Sequence, residues 1–105
     1  MWQAVVAIIG LTHALAEQVD VRYRGKVDLE PFDCSEVKSS FLRRVCYDYD
    51  NNYLLIQLGS VWYHYCNVPE GTVSALTETD TPALFFNAHV RNKFSCSGQK
   101  VPQYD

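Results

Sequence analysis

The run Tyr53–Tyr65, YLLIQLGSVWYHY, joins two apolar stretches through Gly59-Ser60. Glycine and serine accept the tight backbone geometry of a reversal, so the two stretches read as antiparallel strands folded back on each other. A turn at Gly59-Ser60 sets their register: Leu58 faces Val61, Ile56 faces Tyr63 and Leu54 faces Tyr65. Side chains alternate along a strand, so those residues share one side of the sheet. The other side carries Tyr53, Leu55 and Gln57 with Trp62, His64 and Cys66. A third apolar run lies upstream and ends at Asp50-Asn51-Asn52, adding Arg44, Cys46 and Asp48 to the second side. The pattern predicts a three-stranded antiparallel meander, partly apolar on both faces and therefore covered on both.

The segment after Cys66 carries helical signals. Pro69 and Pro82 suit first-turn positions and Thr81 suits an N-cap, which predicts a short helix over 69–77 and a longer one over 82–92. Leu84, Phe85 and Ala88 of the second helix, with Val73 and Leu76 of the first, are expected to cover the Leu54, Ile56, Tyr63 and Tyr65 side. The second side falls to the two ends of the chain. Near the N-terminus, Val19, Val21 and Tyr23 alternate with Asp20, Arg22 and Arg24 until Gly25, as in an edge strand or extended arm. The tail is SCSGQKVPQYD. The expected fold class is thus α+β: a three-stranded antiparallel meander with C-terminal helices packed on one face and disulfide-tethered arms near the other.

At 105 residues the chain has room for one core. Its first sixteen residues, MWQAVVAIIGLTHALA, contain no Lys, Arg, Asp or Glu and end in a small-x-small site. They read as a secretory signal peptide cleaved after Ala16, although the basic start of such a signal is missing; a buried N-terminal helix is the alternative. Export places the protein in the periplasm or outside the cell, with no membrane span in the mature chain. Four cysteines, Cys34, Cys46, Cys66 and Cys96, then favour disulfides. Cys46 and Cys66 sit on the outer strands of the meander, roughly 9 to 10 Å apart, beyond the reach of a disulfide. That leaves Cys34–Cys46 with Cys66–Cys96, or Cys34–Cys66 with Cys46–Cys96; a single Cys34–Cys96 bond with free thiols at Cys46 and Cys66 is the competing arrangement.

The motifs Val37-x-Ser39-Ser40-Phe41, Val45-Cys46-Tyr47-Asp48, Tyr63-His64-Tyr65, Asn67-Val68-Pro69 and Phe85-Phe86-Asn87-x-x-Val90-Arg91 occur in that order. Together they resemble the KTSC domain, named for its occurrence at the C-terminus of some lysyl-tRNA synthetases and found alone in bacterial proteins. The likeness covers about residues 36–93, and divides the chain into a signal at 1–16, an arm at 17–35, the domain at 36–93 and a tail at 94–105. The resemblance brings no established activity; RNA binding has been suggested for the family. Here Pro82 and Ala83 stand where the family has small residues and a glycine, and the two cysteine-bearing arms are additional.

Site chemistry is sparse. Tyr63 and Tyr65 have the spacing of a base-stacking pair, but their register puts them under the helices, with hydroxyl partners expected among Ser39, Ser40 and Asn87. His64 and Cys66 are two apart on one strand, as in a shared metal site, yet neither a carboxylate pair nor a C-x-x-C spacing accompanies them, and no metal or cofactor is expected. Trp62 beside His64 is the candidate exposed recognition patch. No serine or cysteine nucleophile has the setting catalysis needs, so the chain reads as no enzyme. Twelve acidic against nine basic residues lack the usual electrostatic footprint of a nucleic-acid binder. Basic clusters occur only at Arg22, Arg24 and Lys26, at Arg43-Arg44 and at Arg91 and Lys93. The expected role is noncatalytic binding or structural interaction in a bacterial envelope, with an envelope protein or small ligand as partner; a cytoplasmic RNA-binding module is the runner-up.

Overall fold

The computed structural model describes residues 17–104. The expected signal segment, 1–16, lies outside the described residues. Among the described residues, six strands are followed by two helices: β1 (Gln18–Val21), β2 (Gly25–Asp28), β3 (Asp33–Glu36), β4 (Leu42–Asp48), β5 (Tyr53–Leu58), β6 (Val61–Tyr65), α1 (Glu70–Glu78) and α2 (Pro82–His89). All six strands join one sheet in the order β2-β1-β6-β5-β4-β3.

The expected meander is the centre of this sheet. Leu54, Ile56 and Leu58 face Tyr65, Tyr63 and Val61 across β5 and β6, as the Gly59-Ser60 turn dictates, and Gly59 takes the positive φ of 60° that the turn needs. The arms depart from expectation because they are strands. Cys34 lies on β3, directly across from Cys46 on β4. Upstream, β1 and β2 form an antiparallel hairpin, and β1 docks parallel to β6 through one bridge, Val21 opposite Trp62. The sheet curls strongly. Glu17, just before β1, reaches Arg44 on β4 at 2.7 Å although β6 and β5 lie between those strands in sheet order.

Curling divides the interior into two cores. Under the helices, Leu42, Val45, Tyr47, Leu54, Ile56 and Tyr65 meet Val68, Val73, Leu76, Phe86 and Val90. On the other face Cys46, Tyr53, Leu55, Trp62 and Cys66 meet Val19, Val21, Val27 and Leu29 from the hairpin. Helix α2 packs through a stripe that overlaps the expected one only at its flank: Pro82, Phe86 and Val90 are buried and half-buried Phe85 packs against the core as expected, whereas Leu84 is 67% exposed and Ala88 lies at the surface. Those buried positions recur every four residues, the period that keeps one helical face inward. Pro82 occupies the first turn, but Pro69 is the N-cap of α1, and Thr81 caps α2 with no side-chain hydrogen bond. The second helix, expected to be the longer, stops at His89 instead of 92 and is the shorter by one residue.

The cysteines form Cys34–Cys46 and Cys66–Cys96, with Cα separations of 4.0 and 5.0 Å and no free thiol. The alternative crossed pairing and the single Cys34–Cys96 bond are both overturned. Pairing of β3 with β4 had already brought the first two cysteines together.

Candidate functional site

Among the described residues, strand β6 is paired along its outer edge only at its two ends. Near the start, Trp62 O accepts a hydrogen bond from Arg22 N at 2.9 Å; beyond its end, Cys66 N donates to Phe94 O at 2.9 Å. Between these points an open groove of about 1030 Å³ runs along the strand. One wall is the β1–β2 turn with Tyr23, Arg24 and Lys26; the other is the segment after α2, from Arg91 through Ser97, with the tail beyond it. Tyr23 adopts a positive φ of 70° in the turn and its side chain is 84% exposed. The Cys66–Cys96 disulfide fastens the second wall to the strand.

Arg24 ties the walls together. Its guanidinium lies 5.4 Å from the ring centroids of both Tyr53 and Tyr104, and its Nη1 donates to the Tyr53 hydroxyl at 3.0 Å. Arginine can only donate, so that hydroxyl accepts from Arg24; it also shares a hydrogen bond with His64 Nδ1, 2.8 Å away, whose direction follows the imidazole tautomer. Burial, then the nearby Arg24 charge, hold the imidazole pKa below its ordinary value. Tyr104 packs on Phe32 at 5.0 Å and donates through its hydroxyl to the Asp48 carboxylate. Burial and the Asp48 charge push the Tyr104 phenol well above its usual range. For Asp48, burial works to raise the pKa but is outweighed by hydrogen bonds from Asn51, Tyr104 and the Asp50 amide, which leave it lowered.

The sequence-derived residues are distributed over fold and groove. Trp62 is 5% exposed, so it belongs to the second core and not to an exposed patch: Val21 sits opposite it and the Arg44 guanidinium covers its ring at 5.3 Å. His64, half-buried, does line the groove. Tyr65 packs edge-on against Phe86 at 5.8 Å in the helical core, and half-buried Tyr63 packs on that core while also lining the groove. Neither phenol takes Ser39, Ser40 or Asn87 as partner. The Ser39 hydroxyl accepts from the Phe41 and Leu42 amides, Ser40 is exposed, and Asn87 Oδ1 accepts from Arg91. Tyr47 is a buried strut whose hydroxyl donates to Val68 O at 2.6 Å and accepts from Asn52 at 2.8 Å. Val37 packs at the rim of the helical core, and Asn67, at a positive φ of 57°, donates to Gln99 in the tail. Among the described residues no group of three or more His, Cys, Asp or Glu side chains gathers to hold a metal ion. No described helix is long and apolar enough to cross a membrane.

The basic clusters at Arg22–Lys26 and Arg91 were legible in the sequence, but not their meeting across β6. What brings them together is one parallel bridge and one disulfide, neither of which leaves a periodic signal.

These features define a class of protein: a small, disulfide-bonded α+β domain built on a curled mixed sheet. A family model, the KTSC domain, matches residues 38–94, more than half the sequence, and the chain belongs to that family. A search of curated proteins finds no match. The matched span holds β4, β5, β6 and both helices; β1, β2, β3 and the tail lie outside it. Each disulfide therefore joins one cysteine inside the span, Cys46 or Cys66, to one outside it, Cys34 or Cys96. The groove lies along the same boundary.

Proposed function

We propose that the protein is an exported, noncatalytic binding module of a bacterial cell envelope, with the groove beside β6 as its ligand face. The observation that carries this reading is the construction of the groove. Segments outside the matched span supply Arg24, Lys26 and Tyr104, the span supplies His64 and Arg91, and a disulfide holds one wall in place. Two disulfides that use every cysteine suit an oxidising compartment. The apolar, charge-free residues 1–16 suit an export signal.

Two experiments test the reading. Intact mass of the protein from its native host is expected to give an extracytoplasmic form lacking residues 1–16, with thiols that alkylate only after reduction; a full-length cytoplasmic form with four reactive thiols would sink export. Amide NMR spectra of the oxidised protein, titrated with fractions of an envelope extract, are expected to shift at Tyr23–Lys26, His64 and Arg91. Shifts confined to the α1–α2 face would move the ligand site elsewhere. The groove's cations and tyrosines also favour a second reading, single-stranded RNA, whose affinity would fall steeply with salt.

A further inference from the structure

We infer that the ligand of this groove is an acidic carbohydrate, a polyhydroxylated body carrying carboxylate or phosphate groups. The inference rests on the groove being the ligand face proposed above. Charge is the first ground. Acids outnumber bases twelve to nine in the sequence, yet among the described residues Arg24, Lys26 and Arg91 line the groove and no Asp or Glu does. The ion pair among the described residues, Glu17–Arg44, lies outside it. Three cations thus share one concavity with no carboxylate partner among the described residues, an arrangement that attracts oxyanions and pairs with them through charge-assisted hydrogen bonds. Arg24 is already oriented by Tyr53 and Tyr104, so little side-chain freedom is lost when it binds.

The uncharged lining is the second ground. Asn92, Ser95, Ser97, Gln99 and Gln103 are carboxamides and hydroxyls, each able both to donate and to accept. Sugar hydroxyls have the same dual character. Tyr23 and Tyr63 add ring faces at the rim, on which the C–H face of a pyranose can lie. A volume of about 1030 Å³ in an open trough suits several linked rings better than one.

The test uses the full chain with both disulfides formed, followed by amide NMR and calorimetry at low salt. Tetragalacturonate and a hexose bisphosphate are the two anionic probes; fully methyl-esterified tetragalacturonate is the neutral isostere, and a single-stranded oligouridylate is the competitor. At least one anionic probe is expected to shift amides at Tyr23–Lys26, His64 and Arg91, and the response of each arm separates carboxylate from phosphate recognition. The ester should bind about tenfold more weakly or worse. Lys26→Gln and Arg91→Gln should each weaken the anionic probe about tenfold, the loss of one charge-assisted bond, and leave the ester's weak binding unchanged. Equal binding of acid and ester, or tighter binding of the oligouridylate, would overturn the inference. If no probe perturbs the groove while an envelope extract does, the carbohydrate inference fails and the binding face stands; if neither does, both fail.

Discussion

Replacing Tyr104 with phenylalanine removes one hydroxyl from the tail and nothing else. That hydroxyl donates to Asp48, a carboxylate only 4% exposed that also accepts from Asn51 Nδ2 and the Asp50 amide. A hydrogen bond to a charged group contributes about 1.5 to 3 kcal/mol, and here its loss leaves a buried lone pair unsatisfied. The ring contacts with Phe32 at 5.0 Å and Tyr53 at 6.3 Å, and the Arg24 guanidinium at 5.4 Å, survive in Tyr104→Phe and vanish in Tyr104→Ala. They add about 1 to 3 kcal/mol for the alanine variant. Urea unfolding reads both losses. With a slope near 1.5 kcal/mol/M, the phenylalanine variant should lose about 1 to 2 M in midpoint and the alanine variant more. Asp48 should titrate higher in both variants, because one of the bonds that lowers its pKa is gone. A phenylalanine variant within about 0.2 M of the parent would refute the reasoning, since a docked hydroxyl on a buried carboxylate cannot be that cheap to remove.

Three further outcomes follow from the same geometry. Replacing Cys66 and Cys96 by alanine releases a 30-residue loop, worth about 3.5 kcal/mol of chain entropy, and should broaden the groove amides; replacing Cys34 and Cys46 releases a 12-residue loop, worth about 3 kcal/mol, and should leave those amides in place. Because the folded His64 pKa lies below its ordinary 6.5, the unfolded chain binds more protons as pH drops past that value, so urea midpoints should be highest above it and decline below, and His64→Gln should flatten that part of the profile. In α2, Phe86→Ala should cost about 3 to 5 kcal/mol while Leu84→Ala stays within about 0.5 kcal/mol in the same assay, the reverse of what the apolar residues of PALFFNAH would suggest if Leu84 faced the sheet.

The β5–β6 register was legible because a two-residue turn leaves no slack between the strands: Leu54, Ile56 and Leu58 have one set of partners. Strand β3 was illegible for the opposite reason. DCSE has no alternating apolar pattern, and only Cys34 among its four residues is even half-buried, so its place comes from pairing with β4. The register slip between Leu42 and Arg44 likewise has no marker in FLRRVC. Helix α2 was recognised and its phase was not. Leu84 and Ala88 are as apolar as the stripe that packs, Phe85 packs at the flank of that stripe, and Val90, which completes it, lies one residue past the helix end. Trp62 could be placed on the correct face of its strand, but its burial depends on a hairpin more than thirty residues upstream docking in parallel beside it. The groove inherits that dependence, because its cations come from opposite ends of the described chain.

The position of the disulfides across the boundary of the family match bears on how such chains can change over generations. Cys46 is wholly buried and Cys66 nearly so; losing Cys34 or Cys96 alone would leave an unpaired thiol in either site. Each outer cysteine should therefore be gained or lost together with its inner partner, and the second pair together with the tail it anchors. Among relatives, a cysteine at the position of Cys66 unaccompanied by one at Cys96 would mark a lineage in which the tail has been given up and this groove with it.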